Sequence, residues 1–428
     1  MASFCRAANN GSLSYDLHDS AHVFLGSFPG DWSYSIAGQL SWINLIYEIV
    51  NEAIILPLFY FVGKVVNDRK RFTNRLKTGL LISFFIYSIL AIAIILFAEQ
   101  MLTAMATSKD IIFESAKYVR IESIANIFGI LLSFSSVALV SLGKDKLIYI
   151  LTVTKLVLCL IFDTFLVSTL PFSANLGVNG IAYSNIIVNG LLFVTVIVIL
   201  AKQGYSILNK DKMSFTWAKE FVKIGGVSGV ESFVRNIAYI LMVSRMVNMV
   251  GEQGIYWVAN NFIWGWMLLP ITQLGELIKQ ETAKDENAIR NNTLGYFTIT
   301  GFVCALWVIL IPVYKPFMQY ILRFNDVDKL FSLVMVLFGF YVLYAIQNVF
   351  DSTFYGRGKT SYMLFESVVT NSLYYGTFFI LYLNGIWSPT LIGIAIMFGF
   401  GNAFDTVVSG LTYRYYLKRN KLTIFNPN

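Results

Sequence analysis

Five acidic side chains sit within or at the edge of long apolar stretches, and they are the first candidates for chemistry. Glu48 and Glu52 lie four residues apart, Asp163 closes the stretch Cys159-Leu160-Ile161-Phe162-Asp163, Glu231 precedes Arg235 by four, and Asp351 follows Gln347 by four. A charge at the centre of a bilayer costs at least about 2.5–3.5 kcal/mol. Two carboxylates on one helical face repel, so one holds a proton or the pair attracts a cation; the alternative is that Glu48 and Glu52 only hydrate a wet cavity. Glu231 and Arg235 have the spacing of a helical ion pair, either a static neutral pair or one that a proton or sodium ion breaks. Lys155, two turns before Asp163, offers that acid a structural partner.

Asp351 lies near a Gly-rich turn and Arg357, where an interfacial carboxylate needs no special account. Glu122, Glu276 and Glu366 fall near the ends of apolar runs and read as interfacial. Asn260, Asn261, Trp264, Gln347 and Arg235 are candidates for lining a substrate cavity. Trp257, Trp264 and Trp266 read by default as packing or membrane anchors, with a wall that stacks flat cations as the alternative.

The inventory excludes other chemistries. The three cysteines, Cys5, Cys159 and Cys304, have no metal spacing, and both histidines, His18 and His22, precede the first apolar run. No nucleophile–base pair and no Gly-x-x-x-x-Gly-Lys-Ser/Thr loop is present. We therefore expect no enzyme, no resident metal and no cofactor beyond Na+ or H+ as a coupling ion.

The elements that position these residues are membrane helices. The chain is 56% hydrophobic and 13% charged, against about 25% charged in soluble domains. Eleven apolar runs, near 36–63, 78–98, 117–142, 146–170, 177–201, 224–250, 255–279, 293–318, 329–350, 361–384 and 389–413, are long enough to span. With backbone groups bonded internally in lipid, the fold is an all-α polytopic membrane protein. The net charge of +7 does not point to nucleic acid. About 22 Lys and Arg fall in alternate loops, led by six in 64–77 and five in 202–223, and that side is cytoplasmic. This places the C-terminus in the cytoplasm and residues 1–35 outside. Those residues contain no spanning run and do not read as a signal peptide.

The halves repeat at a shift of 213–215: Leu56-Pro57 with Leu269-Pro270, Lys64 with Lys279, Gly143-Lys144 with Gly358-Lys359, and Gly180-Ile181-Ala182 with Gly393-Ile394-Ala395. Pro57 and Pro270 are candidate matched kinks. The expected organisation is a non-spanning segment 1–35, an N-lobe bundle 36–201, a polar cytoplasmic linker 202–223, a C-lobe bundle 224–415 and a tail 416–428. The second half has one span more than the first, so the expected parent has twelve spans and most of the first is lacking here. Bilobed folds of this kind usually bind ligand between their lobes.

Gln347-Asn348-Val349-Phe350-Asp351 followed by Tyr355-Gly356-Arg357-Gly358-Lys359-Thr360 resembles the tenth helix of the multidrug and toxic-compound extrusion (MATE) family of cation-coupled antiporters. Its first-half counterpart is Ser141-Leu142-Gly143-Lys144-Asp145. The stretch 159–163 resembles the fifth-helix motif, with Cys159 at a position usually Asn. Gly177–Ala182 resembles the start of the sixth helix, and Gly225–Glu231 the seventh. The resemblance covers about residues 36–415 and departs at the first helix, which in family members can carry an N-lobe aspartate. It implies a monomeric antiporter of the inner, cytoplasmic membrane, bathed in lipid and exchanging Na+ or H+ for an organic cation or amphiphile. Coupling would run through Asp351, Glu231, Asp163, Glu48 and Glu52. The competing reading is a related flippase of lipid-linked saccharides, which needs a basic cavity.

Overall fold

The structure is a computed structural model and describes residues 32–63, 65–207, 212–284 and 287–422. The expected non-spanning segment 1–35, with its truncated first helix, lies outside the described residues except for 32–35, which open a helix.

All eleven apolar runs are helical, and no strand occurs among the described residues. The first five helices are α1 (Trp32–Gly63), α2 (Arg69–Ala104), α3 (Ile112–Ser141), α4 (Asp145–Leu166) and α5 (Val178–Lys202). Three later helices are interrupted by π-helical turns. α6 joins Ala218–Ala238, the π turn Tyr239–Ser244 and Arg245–Met249. α7 joins Gln253–Asn261, the π turn Phe262–Met267 and Leu269–Lys284, and α10 joins Thr360–Val369, the π turn Thr370–Tyr375 and Gly376–Leu383. α8 (Asn287–Tyr320), α9 (Val327–Gly356) and α11 (Leu391–Arg419) complete the set. Among the described residues, seven helices are uninterrupted, long and apolar enough to cross a bilayer: α2, α3, α4, α5, α8, α9 and α11.

Local chemistry fixes several ends. Asp68, Asp326 and Thr390 cap α2, α9 and α11 by accepting the backbone N–H of Arg71, Lys329 and Gly393, each at 3.1 Å. α1 continues through Pro57, whereas Pro270 stands just past the π turn of α7, where its missing N–H costs no regular bond. The outer face of α2 exposes Phe85, Ile89, Ile92 and Leu96 while Tyr87, Ala91 and Ile94 are buried opposite. An apolar outer face of this kind suits lipid rather than water.

The described residues divide into two compact units at Phe233/Val234, inside α6. In the first, α3 is the hub, packing on α1, α2, α4 and α5. In the second, α9 packs on α7, α8, α10 and α11. The repeat is visible in the elements: α3 and α9 begin 215 residues apart, as do α4 and α10, and α5 and α11 begin 213 apart. The turns after α3 and α9 match bond for bond. Gly143 and Gly358 have φ of +69° and +63°. Lys144 N–H reaches Leu139 O at 3.0 Å, and Lys359 N–H reaches Phe354 O at 2.8 Å.

The connecting segment 202–223 is polar in composition yet tethered to the first unit. Trp217 is buried, donates to Thr78 Oγ1 at 3.2 Å, and packs with Phe61 and Phe221. Arg69 Nη2 donates to Gly204 O at 2.8 Å.

Candidate functional site

Three helices of the second unit each present a pair of polar residues on one face, four positions apart. α9 supplies Gln347 and Asp351, α10 supplies Glu366 and Thr370, and α11 supplies Asp405 and Ser409, with Thr406 beside them. Gln347 is the hub. Its Nε2 donates to Asp405 Oδ2 at 2.7 Å and to Asp351 Oδ2 at 3.2 Å, while its Oε1 accepts from Thr406 at 3.2 Å. Thr370, the first residue of a π turn, donates to Asp405 Oδ1 at 2.7 Å. Ser409 donates to Glu366 Oε2 at 3.0 Å. Asp351 stands five residues before the end of α9, about 8 Å inside it. Next to the hub, Asn348 donates to Ile271 O at 2.9 Å and fixes α9 against α7.

Asp351, Glu366 and Asp405 thus converge from three helices, and Asp351 and Asp405 are the charged neighbours of Glu366. Like charges so placed repel, and a bound proton or cation relieves the repulsion. Among the described residues no group of three His, Cys, Asp or Glu side chains is placed to hold a metal ion.

The first unit holds a second polar group. Glu122 on α3 is 5% exposed and accepts Asn185 Nδ2 of α5 on both oxygens, at 2.9 and 3.1 Å. On α4, Lys155, Cys159 and Asp163 recur every four residues, and Lys155 and Asp163 are charged neighbours of Glu122. Asp163 is 3% exposed.

Burial corrects two expectations. Glu122 and Glu366, read as interfacial from their positions near run ends, are instead buried and hydrogen-bonded inside their units. Glu276 is half-buried and pairs with Lys279 at 2.6 Å. Glu48 and Glu52 are half-buried on α1, and Glu48 is a neighbour of the Tyr87 hydroxyl, which donates to Tyr47 O at 3.2 Å. Glu231 is buried and Arg235 half-buried on α6. Asn260 and Asn261 are half-buried at the end of the first segment of α7. Trp264, in the π turn that follows, meets Tyr344 of α9 edge-on at 5.2 Å. Asp351 and Gln347 therefore share one site, and Asp163 belongs to another.

Asp405 escaped the sequence reading, although a lone acid in Phe400-Gly401-Asn402-Ala403-Phe404-Asp405-Thr406-Val407-Val408 carries the same signal as the other five. Glu366 and Glu122 had a weaker one, since distance from a helix end does not reveal what covers a side chain.

No curated protein matches the sequence. Residues 65–165 match the MatE family model. A solved inward-facing multidrug resistance MATE family transporter of the MOP superfamily superimposes with a TM-score of 0.80 at 16% identity, covering 98% of this chain and 99% of its own. The chain carries the MATE fold. A MOP superfamily transporter from Pyrococcus furiosus Vc1, described as having a binding pocket of reversed polarity, gives 0.71 at 16% identity over 99% and 95% of the chains. A MATE protein solved with MaD3S gives 0.67 at 16% identity over 98% and 95%. The MatE match is confined to residues 65–165, while the structural likeness extends over nearly the whole chain and shows its fold.

Proposed function

We propose that the chain is a secondary antiporter of the inner, cytoplasmic membrane, with its C-terminus in the cytoplasm. Acting as a monomer, it exports an organic cation or amphiphile against entry of Na+ or H+. The observation that carries this reading is the convergence of Asp351, Glu366 and Asp405 from α9, α10 and α11 around Gln347. Acids from three separate helices bind a cation only while those helices keep this arrangement, so occupancy biases one arrangement over another. A ligand shifts a conformational equilibrium only by such a difference in affinity. Asp163 with Glu122 in the first unit, and Glu48, Glu52 and Glu231, are secondary candidates for ion coupling. Asn260, Asn261, Trp264 and Arg235 are candidates for substrate contact.

The MatE match over residues 65–165 and the multidrug description of one structural relative support this reading. A flippase of lipid-linked saccharides would gather basic groups to grip a pyrophosphate, and the second-unit cluster is acidic. The test is dye efflux from everted vesicles loaded with a fluorescent organic cation, under Na+ and H+ gradients imposed separately. A response to either gradient that is lost in Asp351→Asn supports antiport. Absence of any gradient response favours the flippase.

A further inference from the structure

We infer that the ion taken up by the α9–α10–α11 cluster is a proton, and that it binds on Oε1 of Glu366. This deepens the antiport reading, on which its role in coupling rests; the protonation itself stands without it.

Hydrogen-bond donors are shared unequally among the three acids. Both oxygens of Asp405 are held, Oδ1 by Thr370 and Oδ2 by Gln347, each at 2.7 Å. The same Gln347 amide reaches Asp351 at 3.2 Å. Donors aimed at a carboxylate stabilise its charged form. The Gln347 NH2 group also fills the place between Asp351 and Asp405 that a bridging metal ion would take, and it turns the positive ends of its N–H bonds toward any such ion.

Glu366 is arranged differently. It is 3% exposed, and only Oε2 has a donor, the Ser409 hydroxyl. Its Oε1 is buried with no hydrogen-bond partner. The other polar side chain beside it is Thr412, whose hydroxyl hydrogen is already given to Val408 O at 2.8 Å. Toward Glu366, Thr412 therefore offers a lone pair, which is a partner for a protonated carboxyl and not for an anion. The charged groups facing Glu366 are Asp351 from α9 and Asp405 from α11, both acids. Tyr362, four residues before Glu366 on α10, stacks on Phe354, and Tyr413, four residues after Ser409 on α11, packs on Phe350. One proton on Oε1 converts an acceptor without a donor into a donor facing acceptors. The step forms an O–H bond at Oε1 as one breaks in the hydronium that delivers the proton, and release returns the proton to water.

The test is pH-difference infrared spectroscopy of the full chain in lipid, without any transported substrate. A protonated-carboxyl band should appear as pH falls, vanish in Glu366→Gln and persist in Glu276→Gln. Carbon-13 labelling of glutamate, which needs no variant, should shift this band, and labelling of aspartate should not. Ser409→Ala, which keeps the carboxyl but removes its donor, should move the band's pH midpoint. A band that survives Glu366→Gln, shifts with labelled aspartate, keeps its midpoint in Ser409→Ala, or is removed by Na+ at constant pH overturns the assignment. Failure here leaves dye antiport standing. A chain that titrates as described but moves no dye retires the antiport reading alone.

Discussion

The side-chain amide of Gln347 donates to Asp405 Oδ2 at 2.7 Å, so a neutral residue of α9 holds an acid of α11 in the middle of the second unit. Replacing Gln347 with Leu keeps the bulk and removes the hub. Asp405 loses one donor and Asp351 loses its amide partner, while Thr406 keeps Asn402 O as an acceptor at 2.7 Å. Leaving buried polar groups without partners costs about 1–3 kcal/mol each. We expect a lower thermal midpoint in detergent and loss of gradient-driven efflux in Gln347→Leu. An unchanged midpoint would show that the hub carries no energy.

Thr370 makes a sharper pair of variants because it starts the π turn of α10. Thr370→Val preserves shape and deletes the donor to Asp405 Oδ1, whereas Thr370→Ser preserves the donor. The valine variant should lose about 1–2 kcal/mol of stability and most of its coupled efflux, with serine close to the parent. Equal behaviour of the two would show that the hydroxyl donor to Asp405 does not carry the effect.

Gly143 and Gly358 test the repeat energetically. Both lie at positive φ and both close a helix with the same bond pattern. A Cβ added at either finds no atom within 4 Å, so the penalty for alanine is conformational. A left-handed residue with a side chain costs about 1–2 kcal/mol. Gly143→Ala and Gly358→Ala should therefore lower the thermal midpoint by similar amounts, measured in the same detergent. A large effect at one glycine and none at the other would break the equivalence.

Trp217 lies in what composition marks as a polar linker, yet it is buried with Phe61 and Phe221. Trp217→Ala should cost about 3–5 kcal/mol, as for other large core truncations, and sharply reduce the folded yield on size-exclusion chromatography. A variant with parental yield and thermal midpoint would show that the segment does not depend on this anchor.

How much was legible in the sequence differs from element to element. The eleven helices were, because apolar runs of spanning length have one solution in lipid. So were the glycine turns at 143 and 358, where the residue type dictates the backbone. The π turns were not: one extra residue in a turn shifts the helical phase without leaving a mark in composition, and only Pro270 stands near one of the three. Asp351 was found from its motif and Gln347 from the same stretch, but Gln347 was expected to line a substrate cavity. Its position among the acids depends on Asp405 and Thr370, which lie 58 and 23 residues away in the chain. Glu366 illustrates the limit best. Position along a helix gives depth, while burial is decided by the neighbouring helices.

The most direct test of the account measures ion and dye flux together in proteoliposomes of known pH and Na+ content. In the parent chain, dye should move outward as protons move inward. In Asp351→Asn combined with Asp405→Asn, both fluxes should fall to the level of protein-free vesicles. Parental flux in that double variant, with a normal thermal midpoint, would contradict the claim that these acids couple transport.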